Sequence, residues 1–236
     1  MSHIIAIVQA RMSSTRLPGK LLMPIGKHPA LYHTVKRSEA AGYPVVLAIP
    51  YHDWPLVQFA KDHGIPFYQG PLNNVLARYA EAAETFEADI IIRITGDCPF
   101  VDPVIIQQVV QHVEDGVPFA SNVWPWRTYP QGLDVEAFTI DLLRQAHREA
   151  TSPYDREHVC PFMHGIASKV ECVRQAKDLS YHRWTLDTPA DYQFFQTLAA
   201  WLSFEPPHPT TAEVLALLER EPELLAINQE TAHYPR

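Results

Sequence analysis

The sequence predicts an α/β fold with a mostly parallel, mixed central sheet, and two features of the chain carry this prediction. Short apolar runs alternate with segments of helical periodicity from the start of the chain onward. The run IIIRI at 90–94 is apolar on both parities and rich in β-branched residues, which is typical of a strand buried on both faces. Helices are therefore expected on both faces of the sheet, giving three α/β/α layers.

Each strand is predicted from an apolar run bounded by turn residues. The segment GLDVEAF at 132–138 is the exception, because it is recognised by its alternation of apolar and polar residues. The predicted strands are 4–8, 45–49, a short strand near Phe67, 89–95, 132–138, 170–173 and 183–186.

Each helix is predicted from apolar residues at helical spacing and from its end signals. Gly42 follows the first helix at the position where a left-handed residue ends a helix. Asn73, Asp102 and the pair Thr210 and Glu213 are predicted to cap helix starts. The predicted helices are about 29–41, 54–63, 74–86, 103–114, 140–150, 153–164, 189–202 and 210–220.

The length and composition fit one folded domain spanning residues 1–236. With 47% hydrophobic and 19% charged residues, the chain has the composition of a folded protein with a buried core. No apolar run approaches about 18 residues and no basic leader precedes the first strand, so we expect a cytoplasmic protein without a membrane segment. Three scattered cysteines without a C-x-x-C pair argue against a disulfide framework and a structural zinc site.

Charge is distributed unevenly along the chain. The net charge of −8 argues against nucleic acid as a partner. Residues 1–38 contain six Lys and Arg residues and no Asp or Glu, so they carry +6 while the remaining 198 residues carry −14. A cationic segment in an acidic protein indicates a small, highly charged anion as the ligand, and a chance cluster on a solvated face is the alternative.

The cationic segment contains a loop that follows the first strand and suits a triphosphate. The sequence QARMSSTRLPGK at 9–20 combines Arg11, Arg16 and Lys20 with small hydroxyl residues, and a Pro-Gly pair disfavours a helix. Guanidinium and ammonium groups make the bidentate and point-charge contacts that phosphates accept. The loop is not a Walker A motif, and a G-x-G-x-x-G motif is also absent from the sequence.

Two aspartates follow two other predicted strands. Ligands of open α/β sheets bind beyond the carboxyl ends of the strands, so we expect Asp97 and Asp187 on the same rim as the loop. Mg²⁺ is typically held by one or two carboxylates together with phosphate oxygens, so these aspartates are the expected metal ligands. The alternative role of Asp187 is support of the helix that starts at Thr188.

Five motifs carry a resemblance to a known family. They are VQARMSSTRLPGKLL, RITGDCPFVDP, PQGLDVEAF, REHVCPFM and RWTLDTPADY. In this order and spacing they resemble the SpsF-like cytidylyltransferase family, which is named for spore-coat polysaccharide synthesis and is similar to the CMP-sugar synthetases. The resemblance implies a glycosyltransferase-A-like, Rossmann-like nucleotidyltransferase fold, with CTP as co-substrate and one or two Mg²⁺ ions as cofactor.

The resemblance also implies roles for individual residues. By position, Arg11, Lys20, Asp97 and Asp187 match catalytic residues, and the two aspartates match the metal ligands. The segment Asn73-Asn74 departs from the family, whose members often carry acidic residues there. The residues expected to contact the nucleotide are Gln9, Ala10, Arg11, Ser13, Ser14, Arg16, Lys20, Arg78, Gly96 and Asp97.

The acceptor is expected to bind at a lid or acceptor segment spanning about 119–165. For Arg156 a structural salt bridge is the alternative role, and for the aromatic residues Trp124, Trp126 and Tyr129 loop packing is the alternative to a platform for a sugar ring. The candidate acceptor-binding residues are Arg127, Gln131, Asp134, Glu136, Arg156, His158 and Arg183.

The expected function is transfer of CMP from CTP to a small sugar-like acceptor with release of pyrophosphate, in surface or spore-coat polysaccharide biosynthesis. The assembly considered for this chain is a homodimer, with a monomer as the alternative left open by the sequence. A glycosyltransferase of the same fold is one alternative, although the sequence contains no D-x-D motif. A nucleotide-binding protein without activity is the other, and it predicts loss of a loop cation or a metal aspartate, all of which are present.

Overall fold

The computed structural model describes residues 2–229, and its strands form one large sheet and one short hairpin. Residue 1 and residues 230–236 of the expected 1–236 domain lie outside the described residues. The strands are, in chain order, β1 (Ile4–Gln9), β2 (Pro24–Ile25), β3 (His28–Pro29), β4 (Val45–Pro50), β5 (Phe67–Gly70), β6 (Ile90–Thr95), β7 (Phe119–Ser121), β8 (Glu136–Thr139) and β9 (Val170–Cys172).

The central sheet is mixed and mostly parallel, as predicted. Its seven strands lie in the order β5-β4-β1-β6-β8-β7-β9. Strand β1 pairs in parallel with β4 and β6, and β8 alone runs antiparallel to both of its neighbours. The register places Gln9 beside Thr95, so β1 and β6 end at the same edge of the sheet. The hairpin of β2 and β3 was not predicted from the sequence.

The helices begin where capping residues satisfy their first amides. Asp102 accepts from Val104 N at 2.8 Å, and Thr210 caps the last helix, both as predicted. Asn74 rather than the predicted Asn73 accepts from the first turn of its helix. The helices are α1 (Ala30–Glu39), α2 (Trp54–Asp62), α3 (Val75–Thr85), α4 (Pro103–Glu114), α5 (Ile140–Glu149), α6 (Pro153–His158), α7 (Pro161–Ile166), α8 (Pro189–Trp201) and α9 (Thr211–Arg220).

Two apolar clusters cover the two faces of the sheet. Along β1, Ile4, Ala6 and Val8 belong to one cluster, while Ile5 and Ile7 belong to the other. The first cluster includes side chains of α1, α2, α4, α8 and α9, and the second includes side chains of α3, α5 and α7. The alternation along one strand therefore builds the three α/β/α layers.

The predicted strand at 183–186 is wrong. Arg183 forms only an isolated bridge with Gln131, and the next backbone amide, that of Trp184, donates to Gln131 O at 2.7 Å. The amide of Leu186 donates instead to Asp97 O at 2.8 Å. The segment is buried, which explains its apolar pattern, but its backbone partner changes along its length and no ladder forms.

The predicted helix at 153–164 is interrupted. Helix α6 ends at His158 and α7 begins at Pro161. Val159 has a φ of 72°, which no residue of a right-handed helix adopts. Pro161 has no amide hydrogen with which to continue α6, so it starts a new helix instead.

The expected acceptor segment at 119–165 contains regular structure. Strands β7 and β8 belong to the central sheet, and helices α5 to α7 pack beside it. The irregular backbone lies between Asn122 and Val135. Among residues 2–229, no helix has the length and apolar character needed to cross a bilayer.

Candidate active site

The loop that follows β1, residues 10–20, is the basic loop of the site. It folds back on itself, because Met12 O accepts from Ser14 N at 2.9 Å and from Gly19 N at 3.2 Å. Gly19 has a φ of 74°, which suits glycine and lets the chain turn into Lys20. Met12 N donates to Asp53 Oδ2 at 2.8 Å, so the loop is also fixed to the segment after β4.

Lys20 lies between Asp97, which follows β6, and Asp187, which precedes α8. Its Nζ donates to Asp97 Oδ2 at 2.6 Å and to Asp187 Oδ1 at 3.0 Å. The Lys20 side chain is only 9% exposed. Burial acts to lower the pKa of Lys20, but the carboxylates of Asp97 and Asp187 outweigh it and the pKa lies above its ordinary value. The ammonium is therefore fully charged and is shared between two carboxylates.

Asp97 occupies its position because Gly96 allows β1 and β6 to approach each other closely. Gly96 N donates to Gln9 O at 2.9 Å, and a Cβ at this position would lie 2.9 Å from the same oxygen. Thr34 Oγ1 donates to Gly96 O at 3.0 Å and fixes the turn from the α1 side. Burial acts to raise the pKa of Asp97, but the Lys20 ammonium outweighs it and the pKa is lowered. Asp97 is therefore an ionised carboxylate at the sheet edge.

Asp187 is surrounded by cations. Its carboxylate pairs with Arg16 and Lys20, and Arg183 Nη2 lies 3.7 Å from Asp187 Oδ2. The cap of helix α8 is Thr188, whose hydroxyl accepts from Asp191 N while the Asp191 carboxylate accepts from the Thr188 amide. The alternative role of Asp187 as helix support is thus carried by other residues.

The two aspartates fit an Mg²⁺ ion that is brought by phosphates. Both Asp97 and Asp187 have an oxygen within 3.0 Å of the same nitrogen, so their carboxylates converge on one point. Among the described residues, no group of three or more His, Cys, Asp or Glu side chains is arranged to hold a metal ion. Because Mg²⁺ takes six oxygen ligands, an ion at this point needs phosphate oxygens and waters to complete its shell.

The other cation of the basic loop contacts α6. Arg11 Nη2 lies 3.5 Å from Glu157 Oε1, and both side chains are about half exposed, at 45% and 50%. An exposed pair of this kind contributes about 1 kcal/mol or less. Ser13 is exposed, and Ser14 Oγ accepts from Leu17 N at 3.4 Å. The outer part of the basic loop is therefore held only weakly and is accessible to an anion.

Two buried polar atoms near β1 have no hydrogen-bond partner. Gln9 Oε1 and Arg78 Nε are both buried without a partner, while Arg78 Nη1 donates to Pro71 O at 2.7 Å. Burial lowers the pKa of Arg78 to about 10. The backbone amide of Ala10, which is also a candidate nucleotide contact, donates to Ala48 O at 3.1 Å. An unsatisfied buried polar atom costs about 1–3 kcal/mol, so a ligand that pairs with Gln9 or Arg78 would recover it.

The candidate acceptor residues of the irregular segment are paired with one another. Arg127 donates to both oxygens of Asp134, at 2.5 and 2.9 Å, and Gly132 N donates to Asp134 Oδ1 at 3.1 Å. Gln131 Oε1 accepts from Arg183 Nη1 at 3.3 Å. Each of these side chains is thus held by a hydrogen-bond partner, and Gln131 joins the group to Arg183.

Glu136 lies deeper in the sheet. It pairs with Arg93 across β6 and β8, and His164 Nε2 lies 3.5 Å from its carboxylate. Burial acts to raise the pKa of Glu136, but Arg93 and His164 hold it at about 2. Trp124 stacks on the His164 ring with centroids 4.2 Å apart, so Trp124 packs the loop onto this buried pair.

Of the remaining acceptor candidates, Arg156, His158 and Trp126 lie on the surface and Tyr129 is buried. Arg156 is exposed and its Nε donates to Ala150 O at 3.1 Å, and His158 packs on Tyr154 with ring centroids 4.4 Å apart. Trp126 is 62% exposed and Arg174 lies 5.4 Å from its ring. Tyr129 is buried in the core.

Sequence reasoning missed two acidic residues of the site. Asp53 fixes the basic loop through Met12 N, and Asp191 is a fully buried partner of Arg183. Asp53 follows strand β4, so the rule that selected Asp97 could also have selected it. Asp191 lies in a helix and gave no signal of its own beyond its place in the last motif.

Comparison with known proteins decides the family of this chain. The sequence model of the family described as cytidylyltransferase matches residues 5–226. The chain belongs to the cytidylyltransferase family.

Relatives of this cytidylyltransferase match it along nearly its whole length. The spore coat polysaccharide biosynthesis protein SpsF of Bacillus subtilis (strain 168) is 29% identical, over 94% of this chain and 97% of that protein. A solved cytidylyltransferase from Leptospira borgpetersenii serovar Hardjo-bovis is also 29% identical, with a TM-score of 0.89 and 100% coverage of both chains. A CMP:2-keto-3-deoxy-manno-octonic acid synthetase solved with CTP has a TM-score of 0.67 at 22% identity, over 85% of this chain and 99% of that one.

Membership of the family confirms the expected class of enzyme and fold. The cytidylyltransferase is a nucleotidyltransferase built on a mixed, mostly parallel sheet between helical layers. The two alternatives, a glycosyltransferase and a binding protein without activity, are not favoured by these matches.

Proposed function

We propose that this protein transfers CMP from CTP to a hydroxyl group of a sugar-like acceptor, releases pyrophosphate, and serves polysaccharide biosynthesis. One observation carries the proposal: cations of the basic loop reach both Asp97 and Asp187, with Lys20 bonded to the two carboxylates. This cluster lies beside the end of β6, and ligands of α/β folds bind at the carboxyl edge of the sheet, which supports phosphate binding by the loop cations and metal binding by the carboxylates.

The reaction is a displacement at the α-phosphorus of CTP. The acceptor oxygen forms a bond to that phosphorus and loses its proton, while the bond to the oxygen bridging to the β-phosphate breaks. Catalysis of such a transfer consists mainly of positioning and of neutralising charge. Arg11 and Arg16 are half exposed on the basic loop, so they are available to bind the triphosphate and the departing pyrophosphate.

Asp97 and Asp187 are the residues that would hold Mg²⁺. When bound, the ion supplies neutralisation of the triphosphate and polarisation of the reacting phosphoryl group. The chain's own part is to keep the two carboxylates convergent, which their shared bonds to Lys20 support, and to keep Asp97 ionised, which the Lys20 ammonium supports by lowering the pKa of Asp97.

The nature of both substrates is supported by relatives. SpsF is named for spore coat polysaccharide biosynthesis, and a structural neighbour named as a CMP-2-keto-3-deoxy-manno-octonic acid synthetase was solved with CTP. The proposed wall for the acceptor consists of Gln131 and the pair of Arg127 and Asp134, because Gln131 bonds Arg183 and the adjacent Gly132 N bonds Asp134. Cytoplasmic location and a homodimer stay predictions of the sequence.

The direct test is release of pyrophosphate with each of the four nucleoside triphosphates, Mg²⁺ and a panel of sugars. We expect release with CTP and one class of sugar, and we expect Asp97→Asn to abolish it. Asp141→Asn is the matched control, because Asp141 is 89% exposed and lies outside the five motifs. Absence of acceptor-dependent release with every nucleotide would contradict the proposed function.

A further inference from the structure

Lys20 occupies the point on which the two proposed metal ligands converge. Its ammonium makes short charge-assisted hydrogen bonds to Asp97 at 2.6 Å and Asp187 at 3.0 Å. The Lys20 side chain is 9% exposed and that of Asp187 is 6% exposed, so water screens this cluster poorly. In the protein without nucleotide, the ammonium is thus the counter-charge of both carboxylates.

A divalent cation and the ammonium cannot occupy this point together. Two cations held at the same pair of oxygens repel each other strongly in a buried site. Asp187 already pairs with Arg16 and lies 3.7 Å from Arg183, so further positive charge would be added to an already cationic surrounding. Binding of a metal by both carboxylates therefore requires the ammonium to move away.

The ammonium can leave the two aspartates through rotation of the Lys20 side chain alone. Lysine carries its charge on a flexible four-carbon stem, so Nζ can shift by several ångströms without movement of the backbone. The residues that flank Lys20 in the basic loop include Arg16, which is 46% exposed and is oriented toward the same carboxylate. A triphosphate bound by this loop would offer the ammonium new anionic partners as it leaves the aspartates.

We infer that Lys20 is a placeholder for the metal: it holds Asp97 and Asp187 together in the nucleotide-free enzyme and exchanges them for phosphate oxygens when the metal and the triphosphate bind. The inference rests on the proposed function insofar as that function makes these aspartates the metal ligands. It has a consequence that a phosphate-binding lysine alone does not have. Lys20 should weaken binding of a divalent ion to the nucleotide-free protein, so the ion and the nucleotide bind cooperatively.

The experiment measures Mn²⁺ binding to the full chain without nucleotide, by electron paramagnetic resonance of the free ion. We expect Lys20→Met to bind Mn²⁺ at least ten-fold more tightly than the unchanged protein. The double change Lys20→Met with Asp97→Asn should lose this gain, which places the ion at the aspartates. Lys27→Met is the matched control, because Lys27 is 80% exposed and lies in the same cationic segment, and it should leave Mn²⁺ binding unchanged.

The outcomes separate this inference from the proposed function. Equal or weaker Mn²⁺ binding by Lys20→Met overturns the placeholder role, even if the unchanged enzyme transfers CMP. A gain in Mn²⁺ binding supports the role even if no acceptor is found, because the titration uses neither CTP nor turnover.

The thermal stability of the Lys20 variants, with and without Mn²⁺, also tests the inference. Removal of the ammonium leaves Asp97 without its cationic partner and takes one of the cations from Asp187, so Lys20→Met and the polar variant Lys20→Gln are expected to be less stable without metal. Recovery of their thermal midpoint on addition of Mn²⁺ supports the inference, because the ion then replaces the ammonium. Variants that stay unfolded with and without Mn²⁺ would overturn it, since Lys20 would then be required in both states.

Discussion

The carboxylate of Asp191 holds the backbone amide of Asp187, with Asp191 Oδ2 3.1 Å from Asp187 N. The same oxygen accepts from Thr188 N at 2.8 Å and from Arg183 Nη2 at 2.9 Å. Asn228 Nδ2 donates to the second oxygen at 3.0 Å. Asp191 is fully buried and fixes the turn that carries the proposed metal ligand, so it is a positioning residue for Asp187.

Asp191→Asn should impair both stability and turnover. The change leaves the guanidinium of Arg183, which is 1% exposed, without its full charge partner, and breaking such a buried pair costs about 3–5 kcal/mol. We expect a lower kcat measured below the unfolding temperature, because Asp187 loses its support. Asp115→Asn, at an exposed helix end, is the control for stability and activity. A folded Asp191→Asn variant with unchanged kcat would show that the network is structural only.

Asp97→Asn should remove activity with a smaller loss of stability. The pKa of Asp97 is lowered in the folded protein, so its ionised form stabilises the fold above its ordinary pKa of 3.8. Loss of one charge-assisted bond to Lys20 costs about 1–3 kcal/mol by denaturant unfolding. Turnover should fall by about 100-fold or more, because a metal ligand is lost. Full turnover in Asp97→Asn would exclude Asp97 as a ligand.

Arg127 and Asp134 are expected to act on the acceptor as one unit. Their two parallel hydrogen bonds, at 2.5 and 2.9 Å, fix both side chains, so loss of either should raise the KM for the acceptor while the KM for CTP stays unchanged. A double-mutant cycle of Arg127→Ala and Asp134→Ala should give a coupling of about 0.5–3 kcal/mol. Arg156→Ala, on the exposed surface of α6, tests the other basic candidate. A rise of the acceptor KM only in Arg156→Ala would move the acceptor site to α6.

Much of the fold could be predicted because local signals agree with the tertiary structure. The strand at 90–95 is apolar on both faces and lies in the centre of the sheet, and Asp102 caps α4 as its position before a proline indicates. Asp97 was found because it follows the end of β6, whereas Asp187 was found through a predicted strand that does not form. In contrast, the contact of Lys20 with Asp187 joins residues 167 positions apart, and pairings of this range leave no trace in one sequence.

Residues whose partners are distant could not be assigned by pattern. The segment 183–186 has the apolar character of a strand, but its hydrogen bonds go first to Gln131 and then to Asp97. Its neighbour Gly132 gave no signal that distinguishes it from a turn glycine. The structure shows that it is required there, because a Cβ would lie 2.2 Å from Trp184 O.

Gly132→Ala should therefore be strongly destabilising. Gly132 has a φ of 103°, so the added methyl group meets both backbone strain and the Trp184 carbonyl. We expect a loss of roughly 3 kcal/mol or more in denaturant unfolding. Gly165→Ala is the matched control, since a Cβ there meets nothing within 4 Å and Gly165 lies in helix α7. That change should stabilise the protein by about 0.5–1 kcal/mol. Equal effects of the two changes would contradict the close approach at Gly132.

Titration of the buried His182 and the partly buried His208 should make the protein less stable in mild acid. Burial, with Arg37 and His33 nearby, lowers the pKa of His208 to about 4, and burial near Lys177 lowers the pKa of His182 to about 4. Their ordinary pKa is 6.5, so between these values the unfolded chain binds protons that the folded chain does not. Stability is therefore full above the unfolded pKa and falls as the pH is lowered from about 6.5 to about 4.5.

The change His208→Phe together with His182→Phe should flatten this part of the stability curve, measured by urea unfolding at a series of pH values. Phenylalanine removes the titrating group and keeps an aromatic ring. It loses no hydrogen bond at His208 Nε2 or His182 Nδ1, because both atoms are buried without a partner. His147→Phe, at an exposed position of α5, is the control and should leave the curve unchanged. Below pH ~4.5 the paired carboxylates take over, since Glu136 has a pKa of about 2 and its stabilising charge is lost only there. A slope between pH ~6.5 and ~4.5 that persists in the double variant would therefore assign the acid sensitivity to groups other than these two histidines.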